Sequence, residues 1–123
     1  MADHVLVVDD DPNVTAAVRE GLELEGYRVA TATNGAEALR HVEIDPPALI
    51  LLDMRMPVMS GWEFAARYRA TGRAAPVVVM TAAANARSWA EEIQADAVLP
   101  KPFTLDDLFA TVQQWRVTPD PPT

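Results

Sequence analysis

Leu49-Ile50-Leu51-Leu52-Asp53 is the stretch that decides the fold. Four apolar residues follow one another without the polar alternation of a half-exposed strand, and the run stops on a carboxylate. A short uninterrupted apolar run, bounded by polar or proline residues, is the pattern of a strand covered on both faces, as in a parallel sheet flanked by helices. Val5-Leu6-Val7-Val8 and Val77-Val78-Val79-Met80 repeat it. Two weaker candidates complete the set. Arg28-Val29-Ala30-Thr31-Ala32 alternates and reads as an edge strand, and Ala97-Val98-Leu99 lies just before Pro100.

Helical spacing fills the gaps. Asp11 can cap a first helix with Pro12 in its first turn. Val14, Ala17, Val18, Gly21 and Leu22 then form one apolar stripe, and Gly26 is a natural stop. Asn34-Gly35 opens a second helix with Ala38, Leu39 and Val42 facing inward. Ser60 and Glu63 have capping-box spacing ahead of Phe64, Ala65 and Tyr68, and Gly72 ends that third helix. Ala86, Trp89, Ala90 and Ile93 mark a fourth, and Thr104 caps a fifth carrying Leu105, Leu108, Phe109 and Val112. Strand and helix alternate throughout, which predicts a three-layer α/β fold with a parallel sheet and right-handed crossovers. The domain is expected over residues 1–116. Residues 117–123, with three prolines and no core pattern, read as a tail or the start of a linker.

Composition narrows the class. A chain of 123 residues, half of them hydrophobic, suits one domain with a real core. The absence of cysteine excludes disulfides, thiolate metal sites and a cysteine nucleophile, and suits a reducing cytoplasm. A net charge of −8 disfavours direct contact with nucleic acid or anionic membranes. No apolar run approaches a membrane span, and Met1-Ala2-Asp3-His4 lacks the basic start of a signal peptide.

In open parallel sheets, ligands bind beyond the carboxyl ends of the strands. Asp9-Asp10-Asp11 follows the first run, Asp53 ends the third, Thr81 follows the fourth and Lys101 follows the fifth. Each has a plainer reading alone: a turn and helix cap for the acids, a strand end for Asp53 and Thr81, a solvated side chain for Lys101. Their joint placement, one chemical type per strand end, favours a site. Asp9, Asp10 and Asp53 would repel one another when ionised, and a divalent cation relieves that. Carboxylate oxygens with room for water suit Mg²⁺. Lys101 supplies a positive charge, Thr81 a hydroxyl donor, and Asp53 a nucleophile toward phosphorus.

These residues resemble the receiver domains of two-component response regulators. The matching segments are V-L-V-V-D-D-D-P at 5–12, L-I-L-L-D-M-R-M-P-V-M-S-G at 49–61, V-V-V-M-T-A at 77–82 and L-P-K-P-F at 99–103. The resemblance spans residues 4 to about 116 and implies a flavodoxin-like (βα)5 sandwich with strand order 2-1-3-4-5. It implies that Asp53 is the phosphoacceptor, and that Asp10 and Asp53 bind Mg²⁺ directly. Asp9 would help through water, with the backbone carbonyl of Arg55 completing the protein ligands. It makes Thr81 the switch hydroxyl, Lys101 the partner of the phosphoryl group and Lys101-Pro102 a cis bond. The implied phosphodonor is a phosphohistidine on a sensor histidine kinase or phosphotransfer protein. The implied output is a downstream protein target or output domain, met by the fourth helix, fifth strand and fifth helix; a second copy of the chain is a further candidate partner.

Two departures matter. The family carries an aromatic residue three positions before the lysine, and this chain has Val98; it also lacks the family's common glycine near Asp96. Phosphoryl chemistry with an altered readout is the expectation, with Trp89 either a substitute reporter or filler. Arg55 and Ala83, each two residues beyond a site residue, are expected to border the path of hydrolytic water. His4, His41, Trp62 and Trp115 read as surface or packing residues. Three competing readings fit these residues less well. A haloacid-dehalogenase-like phosphatase needs a second acid where Arg55 stands. A flavin or dinucleotide carrier needs a phosphate loop where three aspartates stand. A scaffold that never takes phosphate has no use for the intact acid, hydroxyl and lysine set. The chain is thus expected to be a switch that catalyses its own phosphorylation and dephosphorylation, not a turnover enzyme.

Overall fold

Each uninterrupted apolar run forms a strand buried along its length. The structure, a computed structural model, describes residues 4–115 and 117. The strands are β1 (His4–Val8), β2 (Arg28–Ala32), β3 (Leu49–Asp53), β4 (Val77–Ala82) and β5 (Ala97–Lys101). They alternate with α1 (Pro12–Leu24), α2 (Gly35–Ile44), α3 (Gly61–Ala70), α4 (Ala83–Glu92) and α5 (Leu105–Gln114). Every pairing is parallel and the order is β2-β1-β3-β4-β5, as the resemblance implies.

Side chains alternate across a strand, so the sheet divides the core in two. Leu6 and Val8 of β1 join Ile50, Leu52, Val77 and Val79 against Ala38 and Val42 of α2, Phe64 and Tyr68 of α3, and Ala90 of α4. Val5, Val7, Leu49, Leu51, Val78 and Met80 face the other way, onto Val18 and Leu22 of α1 and Leu108 and Val112 of α5. These side chains are almost wholly removed from water, and each of the larger aliphatic ones contributes roughly 1.5–3 kcal/mol by burial. β2 is an edge strand with mixed burial, Arg28 exposed and Val29 and Ala32 buried. β5 runs two residues past its apolar run, through Pro100 and Lys101. It too is an edge strand, where proline's missing N–H interrupts no ladder.

Caps set the helix starts. Asp11 accepts from the Asn13 N–H at 2.9 Å, Asn34 from Glu37 at 2.9 Å and Ser60 from Glu63 at 3.3 Å. Thr104 and Asp107 form a reciprocal capping box. α4 starts directly from β4 with no side-chain cap at Ala82.

One expectation changes. His4, read as a surface residue, is only 2% exposed. It continues the inward row of Leu6 and Val8 and meets His41 of α2, with the two Nε2 atoms 2.9 Å apart. The expected tail lies outside the described residues except for Val117, which is buried among the second cluster.

Candidate functional site

The site residues reach one edge of the sheet because the strands that carry them are neighbours. Asp9 extends β1 by one ladder bond, its N–H donating to the Ala32 carbonyl at 3.0 Å. Its carboxylate is wholly buried and both oxygens are used. Oδ1 accepts from the Asp11 N–H at 2.9 Å and Oδ2 from Lys101 Nζ at 2.7 Å. Asp53 closes β3 opposite Met80 of β4, and its Oδ1 accepts from the Met54 N–H at 3.0 Å. Lys101 Nζ lies 3.8 Å from the same oxygen. Asp10 is exposed at the mouth, and one oxygen each from Asp9, Asp10 and Asp53 lie within 4.8 Å of one another. Thr81 follows Met80 on β4 and is buried.

The loop after β3 passes close to this cluster. The Gly61 N–H donates to the Met54 carbonyl at 2.9 Å. A Cβ at Gly61 would sit 2.7 Å from the Met54 Cα and 2.8 Å from the Asp53 carbonyl oxygen, so only glycine allows this approach.

Electrostatics mark Asp53. Burial and then the charge of Asp9 raise its pKa from 3.8 to about 6, with a smaller push from Asp10. The Lys101 ammonium and the Met54 N–H oppose them. Desolvation and like charge outweigh one lysine that is shared with Asp9. At neutral pH Asp53 is ionised, in a pocket that holds three carboxylates against one ammonium group. Oxygen donors with excess negative charge and an open mouth fit a hard divalent cation.

The structure therefore brings Asp9, Asp10, Asp53 and Lys101 together, with Thr81 on the adjoining strand end. The Arg55 side chain reaches toward α4. Its guanidinium carbon lies 5.0 Å from the centre of the Trp89 ring on α4. Trp89 meets Trp62 of α3 edge-on at 5.0 Å, and Trp62 Nε1–H donates to Glu92 Oε2 at 2.6 Å. Sequence reasoning took Trp62 for packing alone; the spacing within α3 and α4 carries no sign that their tryptophans meet. Val98 is half-buried opposite Val79 and packs into the first cluster. The Lys101-Pro102 bond is cis. The Ala83 side chain, expected near the water path, falls outside the described set.

Comparison with known proteins agrees with this architecture. Residues 5–113 match the family described as response regulator receiver domain. The chain is 44% identical over 112 residues to the transcriptional regulatory protein PrrA of Mycobacterium tuberculosis, covering 89% of this chain and 48% of that protein. It is 39% identical over 121 residues to the response regulator MprA of Mycolicibacterium vanbaalenii, covering 95% of this chain and 52% of that protein. It thus spans about half the length of these relatives. Among solved structures, the chemotaxis response regulator CheY4 of Vibrio cholerae superposes with a TM-score of 0.81 at 31% identity, over 94% of this chain and 99% of that one. No helix among the described residues is long and apolar enough to cross a membrane. With a family match over almost the whole chain and the fold and acidic pocket in place, this chain belongs to the response regulator receiver domains, the phosphoryl-accepting switches of two-component signalling.

Proposed function

We propose that Asp53 accepts the phosphoryl group in a Mg²⁺-dependent reaction, and that Asp9, Asp10, Thr81, Lys101 and the Arg55 carbonyl serve it. The observation that carries this reading is the convergence on Asp53. Its carboxylate is buried, ionised at neutral pH, 3.8 Å from Lys101 Nζ and within 4.8 Å of oxygens from Asp9 and Asp10. Asp9, Asp10, Asp53 and the Arg55 carbonyl would hold the ion, which supplies charge neutralisation for the acids and for incoming phosphoryl oxygens.

The chain's own groups do the rest. A carboxylate oxygen of Asp53 attacks phosphorus in line with the phosphoimidazole P–N bond, which breaks as the imidazole leaves. Lys101, released in part from Asp9, pairs with a phosphoryl oxygen, and the Thr81 hydroxyl donates to another. Hydrolysis of the aspartyl phosphate returns the carboxylate, so the domain times its own signal. The donor is a phosphohistidine on a sensor histidine kinase or phosphotransfer protein. The product is a changed surface on α4, β5 and α5 for an attached output domain or a separate protein target. Direct nucleic-acid contact by this domain is disfavoured by its charge of −8. The reading places the domain in the cytoplasm, where histidine kinases meet their regulators.

Incubation with acetyl phosphate, with and without Mg²⁺, tests this. Intact mass spectrometry is expected to show one added phosphoryl group on wild type, none on Asp53→Asn and none after chelation. Uptake by Asp53→Asn equal to wild type would refute the assignment.

A further inference from the structure

The opposite edge of the sheet holds a second cluster of metal-ligating side chains, and topology explains it. His4 opens β1 with the parity of Leu6 and Val8, so its ring points toward the α2 layer. α2 runs back antiparallel to the strands, which brings its last turn to the start of β1. His41 lies in that turn, and Asp45 is the C-cap residue just beyond it, its N–H donating to the His41 carbonyl at 2.8 Å. The result is that one nitrogen each from His4 and His41 and one oxygen from Asp45 lie within 4.8 Å of one another. His4 is 2% exposed, while His41 and Asp45 are half-buried.

We propose that His4, His41 and Asp45 form a binding site for a borderline transition-metal cation such as Zn²⁺, Ni²⁺ or Cu²⁺. Three features carry it. The donor set is two imidazoles and a carboxylate, which suits these ions and not the hard cation of an all-oxygen pocket. The two Nε2 atoms are 2.9 Å apart. Two nitrogens each about 2.05 Å from one ion stand roughly 2.9 Å apart at a right angle and about 3.3 Å apart at the tetrahedral angle. The two nitrogens are therefore within the spacing of neighbouring ligands on one ion, provided the rings turn so that both lone pairs face it. Finally, the cluster sits at the C-terminal end of α2, where the helix dipole favours positive charge.

In the metal-free form the same 2.9 Å is a hydrogen bond, one ring N–H donating to the other ring's nitrogen. Ligation requires both Nε2 lone pairs, so the donating ring moves its proton to Nδ1, and both rings turn toward an ion that sits beside the line joining the two nitrogens. The half-buried His41 and Asp45 leave a path for entry and room for water at the remaining positions. The site lies a full strand length from Asp53, so the two cation sites are separate.

The test is titration of the tag-free 123-residue chain with Zn²⁺ or Ni²⁺ by calorimetry, in excess Mg²⁺ to saturate the acidic pocket. Imidazole NMR resonances are followed in parallel. About one equivalent should bind at micromolar affinity, with His4 and His41 signals shifting, and His41→Ala and Asp45→Asn should lose roughly tenfold or more. Both substituted residues are half-buried, which favours folding of the variants, and Asp53→Asn should bind as wild type does. Binding that survives in His41→Ala, or that is abolished by Asp53→Asn or by Mg²⁺, would overturn the proposal. So would a wild-type chain whose imidazole signals ignore the metal, since the pair is then a hydrogen bond only.

Discussion

The two ends of this sheet are made by the same five strands and carry opposite chemistry. At the carboxyl end, buried carboxylates outnumber their ammonium partner, and Asp53 is held at a pKa of about 6. At the amino end, the cluster is two imidazoles in hydrogen-bond contact beside one carboxylate, Asp45, and an arginine caps a neighbouring helix end. There Arg69 donates to the Ile93 carbonyl at 3.2 Å and to the Gln94 carbonyl at 2.6 Å, at the end of α4. The difference follows from the crossover. Helices return antiparallel to the strands, so their N-termini gather at the carboxyl end and their C-termini at the amino end. The first edge attracts anions and the second attracts cations or donors. The acids of the carboxyl end exceed what the helix ends and one lysine can offset, and that excess is a store of repulsion available to a bound cation.

The largest expected effect comes from removing the single ammonium group. Lys101→Met leaves Asp9 wholly buried with only the Asp11 N–H, and it strips Asp53 of its main charge compensation. Breaking one side of a buried ion pair typically costs about 3–5 kcal/mol, and the partial exposure of this lysine places the expected loss near about 3 kcal/mol. Urea unfolding of the metal-free protein at pH 7.5 measures it. A loss under about 1 kcal/mol would mean that the carboxyl end is better solvated than its burial implies.

Asp53→Asn tests the same repulsion with the opposite sign. The folded chain holds the Asp53 proton more tightly than the unfolded chain, about 6 against 3.8. Its contribution to folding is thus fully present below about pH 4 and is lost as pH rises through about 6. Asparagine does not ionise and escapes that loss. Metal-free Asp53→Asn should match wild type near pH 4, gain across pH 4–6 and stand about 3 kcal/mol more stable above pH 7. Saturating Mg²⁺ should narrow the gap by stabilising wild type. A stability difference that does not change between pH 4 and 8 would remove the electrostatic account of this edge.

Much of this was legible in the residues because it is local. Uninterrupted apolar runs marked β1, β3 and β4, and Asp11, Asn34, Ser60 and Thr104 announced their helices by side-chain chemistry. The strand-end rule gathered Asp9, Asp10, Asp53, Thr81 and Lys101 before any geometry. What stayed hidden was contact between elements. Strand order came only from family resemblance, since spacing does not fix it. His4 read as lying outside its apolar run, because a polar residue at a strand start gives no sign of the helix that will cover it. The contacts of Trp89 with Arg55 and, edge-on, with Trp62 depend on how α3 and α4 lie beside each other, which no periodicity records.

The smallest effect lies at the amino end and isolates backbone from charge. α1, α3 and α4 each end with a residue in the left-handed region: Gly26 at φ 88°, Gly72 at φ 77° and Gln94 at φ 55°. α1 and α4 close alike. The Gly26 N–H donates to Glu23 and the Tyr27 N–H to Leu22; the Gln94 N–H donates to Glu91 and the Ala95 N–H to Ala90. This paired bond pattern needs a positive φ, which costs a side-chain-bearing residue about 1 kcal/mol and glycine little. Gln94 stands close to Asp96, where the family's common glycine is missing. Its exposed side chain accounts for none of the hydrogen bonds at the turn, because Arg69 binds its backbone carbonyl. Gln94→Gly should therefore keep the turn and the Arg69 contact and relieve the strain. Part of that gain is offset by the greater freedom of glycine in the unfolded chain. The net expectation is a stabilisation of about 0.5 kcal/mol at every pH from 5 to 8. A pH-dependent change would tie this turn to the charges of the far edge, and a loss of stability would mean that glutamine is held here by contacts beyond its backbone.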